Sequence, residues 1–141
     1  MRPEILAPAG VWEDTCWLQE DEADYFELSL DYERGVELQR QVLLVREAGL
    51  IFLADVILSP LAGEIEHEVA WPLAHGLSLH SAEETREAFL REGKKTIATV
   101  VSPAFPEWQA TPANGTLNSL EQWLRLKTKQ AGQRNLYAPL V

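Results

Sequence analysis

The sequence has one cysteine, Cys16, one methionine and three histidines among its 141 residues. A single thiol excludes an internal disulfide framework but leaves the compartment open. The spacing of His67, His75 and His80 matches no standard zinc motif. No apolar run reaches the roughly 20 residues that a membrane-spanning helix needs. The opening residues, MRPEILAPAG, put acid and proline where an export signal is apolar, so no signal peptide is read there. Glycine-rich phosphate loops and recognisable Ser, Cys and His nucleophile arrangements are also missing.

Bases are scarce as well: 12 Lys and Arg stand against 22 Asp and Glu, for a net charge of −10. Residues 1–84 hold 18 acids and 4 bases, a balance of −14, and residues 85–141 hold 4 acids and 8 bases, a balance of +4. A duplex-binding face needs clustered bases to replace counterions, so nucleic acid is not an expected partner. A membrane is not expected either. The eight later bases either pair with the acidic half or converge on an anion-attracting patch, and pairing is the preferred reading.

The length fits one domain, residues 1–141. An apolar fraction of 46% and a charged fraction of 24% are those of an ordinary globular protein. The chain ends on the apolar run 135–141, which reads as a piece of a longer protein. Its most informative stretch is 36–58, VELQRQVLLVREAGLIFLADVIL, two apolar runs around a break at 47–49. This predicts a hairpin with a central strand apolar on both faces. Alternation of period two predicts strands over 25–33 and, most cleanly, over 64–73, where Ile65, His67, Val69 and Trp71 oppose Glu64, Glu66 and Glu68. Residues 77–80 and 96–101 are further strands, and 103–108 is a loop that covers a sheet edge with its aromatics. Two segments carry mixed signals. Residues 81–84, SAEE, form a capping-box pattern that favours a short helix near 82–92, while 87–91 also suits a strand. Residues 116–130 are similarly divided. Eight to ten strands predict an all-β fold, a two-sheet antiparallel β-sandwich.

Several residues are candidates for chemistry. Asp55 is a carboxylate inside an apolar strand, and burying it alone is costly. It is either a metal ligand or acid–base group, or an ion-pair partner of Arg40 or Arg46. A turn at 47–49 places it nearly opposite Arg40 or Gln41, which favours the ion pair. His67 lies on the apolar face of its strand, as a core residue or as a second metal ligand with Asp55, and the metal would be zinc. The stripe Glu64, Glu66, Glu68 offers oxygen ligands suited to calcium, but without a loop cage it reads first as a solvated face. Five tryptophans are many for this length. Trp108 and Trp12, in loops, are the candidates for stacking on sugar rings, with edge-covering as the competing role.

The residues of 40–55, Arg-x-Val-Leu-Leu-Val, then Gly-Leu-Ile-Phe-Leu-Ala-Asp, resemble the C-terminal β-domain of heparinase II/III-like polysaccharide lyases. In those proteins an Arg-Xaa-Val strand, a turn and an aspartate-ended strand recur, with Gly and His following as Gly63 and His67 do here. The segments 103–108 and 136–140 resemble that family's loop and closing strand. The resemblance implies an accessory, non-catalytic domain beside a helical region, acting on acidic polysaccharide in the periplasm or outside the cell. Arg40 would then belong to the substrate-binding face. Leu38 and Gln39 stand where that family often has a histidine before the arginine, which implies no lyase activity for this domain by itself. The alternative is a carbohydrate-binding or protein-interaction module without lyase ancestry.

Overall fold

The computed structural model describes residues 4–131 and 135–141. The fold is all-β and sandwich-like, built from antiparallel sheets. The chain divides into two compact units, 1–63 with 131–137 and 64–130 with 138–141.

The first unit centres on β1 (Glu13–Gln19), β2 (Ala23–Asp31), β3 (Glu37–Val45) and β4 (Leu50–Leu58). A sheet of five runs β1-β2-β3-β4-β11, where β11 is Asn135–Leu140. Its middle is the predicted hairpin. Val45 pairs with Leu50, and the turn 46–49 closes through the Gly49 amide to the Arg46 carbonyl at 3.1 Å. Gly49 has φ of 58°, a left-handed conformation that a side chain disfavours, and so it closes the turn that leads into β4. Arg46 then ties this turn to the neighbouring one. Its guanidinium donates to the carbonyls of Glu20 at 2.8 Å and Asp21 at 3.1 Å and pairs with Asp24. The β2–β3 connection holds a 3-10 turn, Glu33–Gly35. Among the described residues, Leu30, Val36, Leu38, Ala54, Ile57 and Leu136 are the buried apolar residues of this unit.

The second unit has two three-stranded sheets. One orders β5 (Glu64–Pro72), β10 (Trp123–Ala131) and β9 (Gly115–Leu120) as β5-β10-β9. The other orders β6 (Leu77–Ser81), β7 (Ala88–Glu92) and β8 (Lys95–Val100) in chain sequence. Val69, Ala88, Val100, Leu124, Leu126 and Leu140 are buried here. Residues 101 and 141 exchange two backbone hydrogen bonds of 2.8 Å.

Two expectations need correction. There are three sheets rather than two, because β6, β7 and β8 pair only among themselves. The helix near 82–92 is absent. Ser81 is the last residue of β6 rather than a helix cap, and 88–92 form the central strand β7. A strand with neighbours on both sides satisfies its amides and carbonyls in two ladders, and this outweighs a local capping signal. The mixed segment 116–130 resolves the same way. In β10, Leu124, Leu126 and Thr128 are buried while Arg125, Lys127 and Lys129 alternate outward, a period of two.

Candidate functional site

Asp55 is the most buried polar side chain described, at 2% exposure. The β3–β4 register sets it directly opposite Arg40. Arg40 Nε donates to Oδ1 and Nη2 donates to Oδ2, each at 2.8 Å, the bidentate fork that matches guanidinium to carboxylate. The hydrogen bonds to Asp55 raise the Arg40 pKa above its ordinary value, against the opposing effect of burial, so the guanidinium stays charged. Its other face is covered by Trp12, whose ring centroid is 5.2 Å from Cζ. Trp12, Arg40 and Asp55 thus form one stack. It fastens the segment before β1 to the sheet, and Trp12 keeps 42% of its surface exposed.

His67 lies on β5 between Ile65 and Val69 and is half-buried. Among the described residues no cluster of three or more His, Cys, Asp and Glu is arranged to hold a metal. The acidic stripe on β5 faces a basic one on β10. Glu68 pairs with Arg125, Glu66 with Lys127 at 2.7 Å and Glu64 with Lys129 at 2.8 Å. Each step of two up β5 matches a step of two down β10, as an antiparallel register requires. Three of the eight later bases are therefore spent on carboxylates. The hydrogen bond from Lys127 holds Glu66 below the ordinary carboxylate value, and that with Glu64 holds Lys129 above the ordinary lysine value.

Trp108 stands at a different kind of place. The loop after β8 runs back along residues 82–87. Arg86 donates its amide to the Glu107 carbonyl and Gln109 to that of Glu84, each at 2.8 Å, so Thr85 and Trp108 face one another as a bridge. Side chains lock the crossing. Gln109 Nε2 donates to the carbonyls of Ala82 at 2.7 Å and Thr85 at 2.8 Å. Arg86 Nη2 donates to the carbonyl of Gln109 at 3.1 Å and to that of Thr111. Beside it opens a cleft of about 220 Å3, lined by Ser81, Thr85, Arg86, Glu87, Phe105, Gln109, Thr116 and Leu117. In two of these residues, Thr85 Oγ1 and Arg86 Nε are buried with no hydrogen-bond partner among the described residues. Trp108 is 51% exposed at the crossing. The lining offers hydroxyl, amide and charged groups beside the Phe105 ring, and the exposed Trp108 lies in the crossing that borders it, a setting suited to a polyhydroxylated ligand.

Of the sequence candidates, the structure brings Arg40, Asp55 and Trp12 together and sets Trp108 in a bridge with Thr85, a residue that lines the polar cleft. Arg86 and Gln109, which build that cleft, were not foreseen. Their role is to bind main-chain carbonyls, which leaves no periodic signature. No family model matches this chain, and no curated protein and no solved structure is found to be similar to it.

Proposed function

We propose that this chain is a non-catalytic, polysaccharide-binding β-domain, the accessory part of a heparinase II/III-like lyase system acting on acidic polysaccharide. The observation that supports the binding role is the polar cleft beside the Thr85–Trp108 bridge, with the exposed Trp108 in the crossing that borders it. Its volume is below the roughly 300 Å3 of a drug-sized pocket, which suits one ring of a polymer laid along the surface. The non-catalytic role is supported by Asp55, whose two oxygens are both engaged by Arg40, and by buried Leu38 two residues earlier on β3. A carboxylate held this way is a poor general base. Because Arg125, Lys127 and Lys129 are already ion-paired, recognition rests on stacking and hydroxyl hydrogen bonds more than on charge.

The test is titration with uronate oligosaccharides, followed by tryptophan fluorescence and by absorbance of unsaturated products. Saturable quenching that disappears in Trp108→Ala, with no product absorbance, is the expected result. Absence of quenching removes the binding role, and appreciable product formation removes the non-catalytic one.

A further inference from the structure

The strand β1 is the outermost of the five-stranded sheet, with β2 as its neighbour among the described residues. It carries two large apolar side chains to solvent: Trp17 is 66% exposed and Leu18 is 59% exposed. Trp17 stacks on Phe26 across the ladder, with ring centroids 5.5 Å apart and planes 20° from parallel. These rings continue into an open apolar cleft of about 270 Å3, floored by Val42, Leu44 and Ile51. Edge strands of native proteins are normally blunted by lysine, proline or a covering element. Along its seven residues β1 has no lysine or proline and, among the described residues, no strand pairs on its outer side; a bulge at Thr15 interrupts its start and leaves Cys16–Gln19 regular. Its protection against pairing is of another sort. Residues 11–24 hold six carboxylates, Glu13, Asp14, Glu20, Asp21, Glu22 and Asp24, and no base. The nearby cation Arg46 is already bound to Asp24 and to the carbonyls of Glu20 and Asp21.

An apolar edge with an acidic rim selects its partner by charge. A second copy would set six more carboxylates against these six, and an anionic lipid surface would be repelled likewise. We propose that β1 is a docking edge for a basic, extended segment of a partner protein. The segment adds to the sheet as an outer strand. Its main chain pairs with β1, one apolar side chain seats against Trp17, and its lysines or arginines lie by the carboxylates at either end. Trp108 has no part in this surface, so it stands or falls separately from polysaccharide binding.

The probe is a fluorescein-labelled eight-residue peptide of alternating lysine and valine, titrated against the whole chain and followed by anisotropy. Saturable binding is expected, weakened by salt. Truncating a hot-spot aromatic costs about tenfold or more in affinity, so Trp17→Ser should weaken binding by at least that factor, and the charge-reversing double variant Glu20→Lys/Asp21→Lys should weaken it and reduce its salt dependence. Both changes are at the surface, and unchanged circular dichroism and melting temperature show that the variants fold. A fully N-methylated version of the peptide cannot pair its main chain and should not bind. Equal binding of the N-methylated peptide overturns strand addition. Equal binding of a glutamate–valine peptide, or no response to either variant, overturns the docking edge. So do dimerisation of the chain through β1 and binding of the chain to anionic phosphatidylglycerol vesicles with no peptide binding.

Discussion

Arg40 and Asp55 sit directly across the β3–β4 ladder and share two hydrogen bonds of 2.8 Å, with the carboxylate side chain 1% exposed and the guanidinium side chain 29% exposed. Removing one member of such a pair strands the other. Asp55→Ala should therefore lower stability by about 3 kcal/mol, the scale found for breaking buried pairs. Replacing both with apolar residues of similar volume, Arg40→Met with Asp55→Leu, removes the desolvation cost of both charges. That double variant should recover to within about 1 kcal/mol of the parent. Urea denaturation of the three proteins decides it. A double variant as unstable as Asp55→Ala would mean that the site needs charge for some reason other than pairing.

That relationship was legible in the sequence because a glycine fixes the register. Gly49 at positive φ closes the turn into β4, and counting outward from 47–49 places Asp55 opposite Arg40 or Gln41, of which the structure selects Arg40. The strands over 64–72 and 95–100 were legible for a similar local reason, their period of two or β-branched content. What failed was non-local. Whether 88–92 forms helix or strand is decided by β6 and β8 on either side, and the capping pattern at 81–84 contains no information about them. The pairing of β5 with β10 joins Glu64 to Lys129, residues far apart in sequence, so acidic and basic halves could be counted but not zipped. The cleft beside the Trp108 crossing was less legible: Trp108 was a stacking candidate with edge-covering as its competing role, whereas Arg86 and Gln109 bind carbonyls of a crossing that only the fold creates.

Glu27 was not singled out, yet three strands converge on it. Tyr25 Oη donates at 2.9 Å, Thr15 Oγ1 at 3.0 Å and Gln41 Nε2 at 3.3 Å. Thr15 is the extra residue of a β-bulge between Asp14 and Cys16, which aims it at Glu27. These hydrogen bonds, that of Tyr25 foremost, hold the carboxyl below its ordinary value near 4.5. A carboxylate with a depressed folded-state pKa contributes stability that is fully present above the unfolded value and disappears as pH falls through the folded one. The melting temperature should therefore drop between about pH 5 and pH 3, and Glu27→Gln should flatten that limb while changing little at pH 7. An identical acid limb in parent and variant would refute the assignment.

Gly115 opens β9 at a place where no side chain fits. A Cβ there would collide with the Lys127 carbonyl oxygen and lie 2.6 Å from the Phe105 ring. The first obstacle is main chain and cannot swing aside, because Gly115 pairs with Thr128 next to it. Gly115→Ala should cost about 3 kcal/mol, at the upper end for overpacking. Trimming the ring as well, in Gly115→Ala/Phe105→Ala, should not restore stability, since only the softer clash is relieved. Thermal or urea unfolding reads both variants. Recovery in the double variant would show that the ring, and not the carbonyl, is the limit.

The Glu–Lys ladder between β5 and β10 offers a test of register by charge exchange. Lys127→Glu sets a carboxylate opposite Glu66 and between the flanking Glu64 and Glu68, so four like charges share one face. Cross-strand like charges are destabilising, and the melting temperature should fall. Adding Glu66→Lys restores an opposite-charge pair in reversed order and should return most of the loss. Because these side chains are solvated, the Debye length of about 3 Å at 1 M salt should erase much of the difference between the single variant and the parent. The double variant should then behave like the parent at both low and high salt. If Glu66→Lys fails to rescue Lys127→Glu at low salt, the two residues do not face each other, and the β5–β10 register drawn from the three ion pairs is wrong.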